Sequence, residues 1–576
     1  MSAEVALVVL VFVLAAGAVL VATRGAQRAR GAVLTALLAT SGISAIAIHP
    51  RAATERHPAR PKEPRTSMYV GSGACRGCHP SEHASWSRTW HRTMTQDATT
   101  RTVLAPLDGE HLDARDDVVY VKMKDGDRRV VLTTGSHREQ TYWYADKSDE
   151  LALTPFVWLV REKRFVPRRD AFLTPPDREV PSPRWNSSCI ACHAVAGEPG
   201  RDKRSFDTRA AELGVACEAC HGPGASHVER HRDPVERYMQ HASKRADPTI
   251  VHPRRLPPSL SAAVCGQCHA YAFPRDESQW WTTGYALSFR AGDDLGRSRM
   301  ILDPDTLEQP GAPQLDAEAR SPFWPDGSIR VGGREYNGMI QSPCWRGEGE
   351  RKITCLSCHS MHSGDPAGQI DPKKSGCAGC HTMTSEHSHH APGSPGAECV
   401  ACHMPKTSYA LFSAVRSHRI EKPSAELTAE TGKPNACNLC HLDKTLAWTA
   451  ARLTEWYGTK PVQDARDEVS EGMFEALTGD AAMRVVVADA LGKRGDPWQA
   501  AILAELVADP YAAVRFVAAR SLRAQPGFED LAIDFPGDGD AARRSVLARI
   551  RPDAVDPGLV HALLSTRDDR AVTIAE

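Results

Sequence analysis

Cysteine and histidine are the residues whose types and spacing most directly imply chemistry in this sequence. Sixteen of the 17 cysteines fall into eight copies of one pentapeptide, Cys-x-x-Cys-His. The first four copies are Cys75, Cys78 and His79; Cys189, Cys192 and His193; Cys217, Cys220 and His221; and Cys265, Cys268 and His269. The remaining four are Cys355, Cys358 and His359; Cys377, Cys380 and His381; Cys399, Cys402 and His403; and Cys437, Cys440 and His441. Only Cys344 stands outside the pattern.

A lone Cys-x-x-Cys also serves zinc ribbons and redox-active disulfides. Zinc needs two half-sites per metal and has no use for a histidine fixed at one offset in every half-site. Covalent haem explains each position. Two thiols form thioethers with the two vinyl groups of one porphyrin, and the adjacent imidazole becomes the proximal iron ligand. The expected cofactor is therefore eight covalently attached haems c.

Haem is joined to this motif outside the bacterial cytoplasm, so the motif-bearing part must be exported. The N-terminus offers the means. Residues 5–22 are an uncharged apolar run and residues 31–48 a weaker one, each near the ~20 residues that a spanning helix needs. Arg24, Arg28 and Arg30 lie between them without an acidic residue. Positive charge stays inside, which sends the main body to the periplasmic side of the inner membrane. A two-helix anchor over residues 1–49 is the favoured reading. The alternative is a cleaved signal, with residues 33–48 as its apolar core, leaving a soluble periplasmic protein.

Residues 50–68 are rich in proline and arginine and suit an extended tether. Residues 69–444 hold all the motifs, at irregular intervals, and should be mainly helix and loop around haem. Within them, a small β insertion is expected near residues 115–160. Residues 118–124 and 129–134 read as strands joined at Asp125-Gly126. A second hairpin is expected near Asp326-Gly327. Residues 445–576 lack cysteine, and AAMRVVVADALG at 481–492 matches AAVRFVAARSLR at 512–523. Arg484 and Arg515 are equivalent in that match, as are Leu491 and Leu522. A repeat of this kind predicts a HEAT-like α-helical solenoid, against a generic helical bundle. The fold class is thus mainly α.

The motif contexts carry a resemblance. VGSGACRGCHPSEHASWSRTWHRTM, CEACHGPGASH, CLSCHSMH, HHAPGSPGAECVACHMP and PNACNLCH together resemble exported multihaem cytochromes. These are related to the small tetrahaem cytochrome that accepts electrons in ammonia oxidation, and more distantly to hydroxylamine oxidoreductases and pentahaem nitrite reductases. The likeness spans roughly residues 69–444. It implies closely stacked haem pairs, mostly with two histidine ligands each. Carried onto this sequence, it implies distal ligands at His91, His227, His362, His390 and His418. His83, His231, His241 and His387 are weaker candidates, and Met404 is expected to pack against a haem. The lysine variant of the motif used by the nitrite reductases is absent. Tyr336 and Tyr409 carry nothing that marks them as the cross-linked tyrosine of the hydroxylamine-oxidising relatives.

The sequence has 24 histidines, so 16 lie outside the eight motifs. Setting aside His49, His57 and His561, enough remain to give every iron a second imidazole. A saturated iron only passes electrons, whereas an open one can bind substrate. The favoured reading is an electron-transfer protein between membrane or periplasmic donor and acceptor, its redox partners docking on the helical repeats. The alternative is a multi-electron oxidoreductase of a small nitrogen or sulfur compound at one open haem. Charges nearly cancel, at −1, and no basic stripe with interleaved aromatics occurs, so nucleic acid is not an expected partner. Cys344 is read as a buried small side chain, with a ligand or redox role left open.

Overall fold

Strand-forming residues cluster between the first two motifs, and there the computed structural model builds an antiparallel sheet. It describes residues 56–574, apart from 147, 149, 179–181, 203–204, 308–319, 348–351, 363–375, 383, 464 and 494. The expected N-terminal anchor or signal and residues 50–55 of the tether lie outside the described residues; the rest of that segment is not a free tether, since Ala59 is buried in the cluster of Trp185 and Lys62 is bridged to Arg209. Among the described residues no helix is long and apolar enough to cross a membrane.

Eight strands make the sheet: β1 (Thr95–Asp97), β2 (Leu112–Arg115), β3 (Val118–Val121), β4 (Arg128–Thr134), β5 (Glu139–Ala145), β6 (Leu151–Leu153), β7 (Phe156–Leu159) and β8 (Arg164–Pro167). Their order is β2-β3-β4-β5-β7-β8, with β1 also on β4 and β6 also on β5. The β3–β4 turn contains Gly126 at φ 116°, a backbone angle open to glycine. The insertion is larger than residues 115–160, and it makes the motif-bearing region a mixture of sheet, helix and loop. Its outer strands escape a periodicity reading because each is only three or four residues long.

The sheet matters because it holds a motif. Leu132, Trp143, Leu151 and Leu153 share one buried cluster with Trp185 and Ile190, which flank Cys189. Asn186 ties the same segment down: its Oδ1 accepts from Leu151 N at 2.7 Å and its Nδ2 donates to Thr208 Oγ1 at 2.8 Å. A separate cluster collects Leu112, Val119, Val121, Val130, Tyr142 and Trp158. The expected turn at Asp326-Gly327 is present, with Phe323 bridged to Ile329 and Gly327 at φ 77°.

After the last motif come helices Leu446–Tyr457, Glu471–Thr478, Ala481–Leu491, Pro497–Leu506, Ala512–Arg523, Gly539–Leu547 and Pro557–Leu564. The matching helices Ala481–Leu491 and Ala512–Arg523 pack on one another. Both are apolar on most of their surface, since Val485, Val487, Leu491, Val514, Val517 and Leu522 are fully buried. Their core continues through Phe323, Trp324 and Tyr409 into Val157 and Leu159 of β7. Residues His57–Glu576 accordingly form one compact unit.

Candidate functional site

Each motif is one helical turn. His79, His359, His381 and His441 donate their backbone N–H to the carbonyl of the first motif cysteine, at 2.7–2.9 Å. Helices Cys217–His221, Pro258–His269 and Cys399–His403 include the third, fourth and seventh motifs whole. Positions i, i+3 and i+4 of a helical turn share a face, so both thiols and the imidazole converge on one porphyrin.

Thiols of different motifs come near one another. Cys75 and Cys217 act on each other's ionisation, as do Cys192 and Cys268 and Cys265 and Cys355, and Cys192 Sγ lies 3.9 Å from Cys268 O. These neighbours group the first motif with the third, and the second with the fourth and fifth, which no sequence interval reveals.

The histidines pair across these motifs. Ring centroids stand 6.3 Å apart for His79 and His227, for His91 and His269, and for His359 and His418. They stand 6.4 Å apart for His221 and His362, and 6.1 Å for His387 with His403 and for His390 with His441. Metal–imidazole bonds of about 2 Å on both sides of one ion, plus roughly 1.2 Å from nitrogen to ring centre on each side, add up to about 6.4 Å. The residues fit haem iron between each pair.

The other ring nitrogen supports the same fit. His221 Nδ1 meets Val251 O at 2.8 Å, His403 Nδ1 meets Glu421 O at 2.8 Å, and His390 Nδ1 meets Ser388 O at 2.6 Å. His418 Nδ1 meets Arg416 O at 3.3 Å. Two rings meet carboxylates instead: His269 Nδ1 lies 2.8 Å from Glu335 Oε2 and His227 Nδ1 lies 3.1 Å from Asp247 Oδ2. Such partners fix the ring and leave Nε2 to the metal. Desolvation also lowers the pKa of His193, His221, His227 and His418, favouring the neutral imidazole that a metal requires.

All five distal candidates, His91, His227, His362, His390 and His418, thus stand opposite a motif histidine. His387, a weaker candidate by sequence, faces His403 equally well. His83 packs edge-on against Trp86, and His241 is exposed. His231 bonds Asp247 rather than facing a motif. His227, His231 and Asp247 come close enough to form a small metal site, but Asp247 Oδ2 already serves both rings. Among the described residues no imidazole faces His193 or His381. Instead, His193 Nδ1 lies 3.1 Å from Thr95 Oγ1 on β1. Desolvation and the charge of Arg334 push its imidazole down to about 4.

An open cleft runs beside Cys192, Glu218, Cys268 and Arg299. Arg299 is buried, stacks 3.6 Å from the Tyr285 ring centroid, and among the described residues has no hydrogen-bond partner at Nε or Nη1. A buried guanidinium left that way is costly unless an anion meets it, and haem brings two propionates. Cys344 is half-buried in helix Pro343–Arg346, close enough to Cys377 to act on its charge. Glu335, Asp247 and Thr95 were not legible as site residues, since each lies 20 or more positions from its histidine.

Comparison with known proteins adds one family match. Residues 175–222 match the family model of cytochrome c554 and c-prime. A search of curated proteins finds no match. Among solved structures, the outer cell wall cytochrome OcwA is similar at 17% identity and a TM-score of 0.45, over 84% of this chain and 100% of that one. The undecahaem cytochrome from the S-layer of Carboxydothermus ferrireducens aligns at 15% identity and a TM-score of 0.33, over 87% of this chain and 70% of that one. The matched segment 175–222 contains two complete Cys-x-x-Cys-His motifs, each folded as a helical turn with its cysteines and histidine in place. The likeness to the cytochrome c554 and c-prime family therefore covers residues 175–222 and two of the eight motifs.

Proposed function

We propose that the chain is an octahaem electron conduit working on the periplasmic side of the inner membrane. Each motif supplies two thioether cysteines and a proximal histidine. The distal ligands are His227 to the haem of His79, His362 to that of His221, His91 to that of His269, and His418 to that of His359. His387 and His390 complete the haems of His403 and His441. The observation that carries this reading is the set of six imidazole pairs with a spacing suited to one iron.

Haem supplies a one-electron couple at iron, and two imidazoles per iron keep water and substrates off it. The protein's own part is to hold the rings, through the Nδ1 partners above, and to bring neighbouring motifs into contact. The C-terminal helices, read as HEAT-like repeats, serve as the docking surface for a redox partner protein. N-terminal helices tether the whole to the membrane.

A second reading has one observation in its favour. His193 and His381 have no facing imidazole among the described residues, so either iron is a candidate for substrate binding. Electron paramagnetic resonance of the oxidised holoprotein separates the two. Six low-spin bis-histidine haems are expected under both readings, and fewer would overturn the ligand assignment. A high-spin haem would favour an oxidoreductase of a small nitrogen or sulfur compound, while low-spin signals alone would remove it.

A further inference from the structure

The imidazole pairs are alike in spacing but not in what holds their Nδ1 atoms. Four rings rest on backbone carbonyls, those of Val251, Glu421, Ser388 and Arg416. Two rest on carboxylates, Glu335 and Asp247. A carbonyl offers a partial charge, whereas a carboxylate offers a full one and draws the Nδ1 proton toward itself. The imidazole then gives more electron density to its metal and stabilises the higher oxidation state.

We propose that Glu335 and Asp247 set the haems of His269 and His79 to lower potential than their carbonyl-supported neighbours. Both are positioning residues acting through an imidazole, on its proximal side at His269 and on its distal side at His227. The inference rests on the ligand assignment above.

The two carboxylates should differ in strength. Glu335 opens helix Glu335–Gln341, and its other oxygen accepts from Gly333 N at 2.8 Å. Asp247 shares its charge more widely. It accepts from His231 Nε2 and from Thr249 N at 2.8 Å, and Arg230 Nη1 lies 3.5 Å away. Its hydrogen bond to the ligand ring is also longer. The haem of His269 is therefore shifted further than that of His79. The array becomes uneven in energy: two irons hold electrons less readily than those beside them.

The test is an optically monitored redox titration of the full-length holoprotein, with paramagnetic resonance on the same samples. Glu335→Gln is expected to move one titrating component to higher potential and leave the others in place. Asp247→Asn should move a different component by less, and Glu335→Asp should restore most of the first shift. Unmoved components in both amide variants, with low-spin signals intact, would overturn the proposal. Loss of low-spin signals in the unaltered protein would instead indict the ligand assignment. If Glu335→Gln does not accumulate as holoprotein, Asp247→Asn alone decides.

Discussion

The last seven helices and the motif-bearing region solve the problem of an interior in different ways. In the helices, Val485, Val487, Leu491, Leu503, Val514, Val517 and Leu522 are all fully buried in one continuous cluster. Each such side chain contributes about 1.5–3 kcal/mol by leaving water. Around several motifs away from the sheet the buried clusters are small, such as Trp86 with Val195 and Ala216, or Ala263 with Phe289 and Leu295. The motif cysteines are half-buried, and Cys78, Cys380 and Cys440 are exposed. One region is filled by its own side chains, and the other is organised around porphyrin.

Withholding haem should break the comparison most severely. Full-length chain made without haem attachment is expected to lose protease resistance across most of residues 57–444, while the helices from Glu471 onward stay resistant. Limited proteolysis with fragment mapping checks this, and equal resistance of both regions would count against the contrast.

Next comes a single pair inside the helices. Arg484 and Asp509 are each 1% exposed and bonded at 2.6 Å and 3.2 Å. Arg484→Met strands the carboxylate and should cost about 3–5 kcal/mol, read from thermal unfolding. The repeat-equivalent Arg515 bonds only backbone carbonyls, of Phe535, Asp509 and Pro510. Arg515→Met should therefore cost less, about 1–2 kcal/mol.

A smaller effect sharpens the other side. Burial pushes the Glu139 carboxyl up to about 7 from 4.5, and its Oε2 has no hydrogen-bond partner among the described residues. The folded state binds this proton more tightly than the unfolded chain. Stability is therefore greatest below the unfolded value and falls as pH rises toward about 7, by up to about 3 kcal/mol. Glu139→Gln should flatten that decline in unfolding measured between acid and neutral pH. Smallest of all is Cys344→Ser, expected to leave optical spectra and potentials unchanged. A shift in either would give Cys344 a place beside the sixth motif.

How much was legible follows the same division. The motif histidines announce themselves by local spacing, and His91, His227, His362, His390 and His418 stand in contexts with family likeness. His387 was underrated because three histidines crowd residues 387–390 and spacing does not say which turns inward. Glu335 was invisible, lying 66 positions from the ring it holds. The repeat at Ala481–Leu491 and Ala512–Arg523 was legible because helical periodicity is local. The sheet was only partly so, as β1 pairs with β4 through a contact between Thr95 and Thr134 that no window spans.

The thiol contacts between motifs bear on how the molecule is made. Cys75 with Cys217, Cys192 with Cys268, and Cys265 with Cys355 are neighbours only once the chain has folded. In an oxidising compartment, thiols held that close are poised to cross-link. Thioether formation consumes them and removes the hazard. Attaching porphyrin while the chain is still open would avoid that hazard, whereas folding ahead of attachment would leave those thiols side by side.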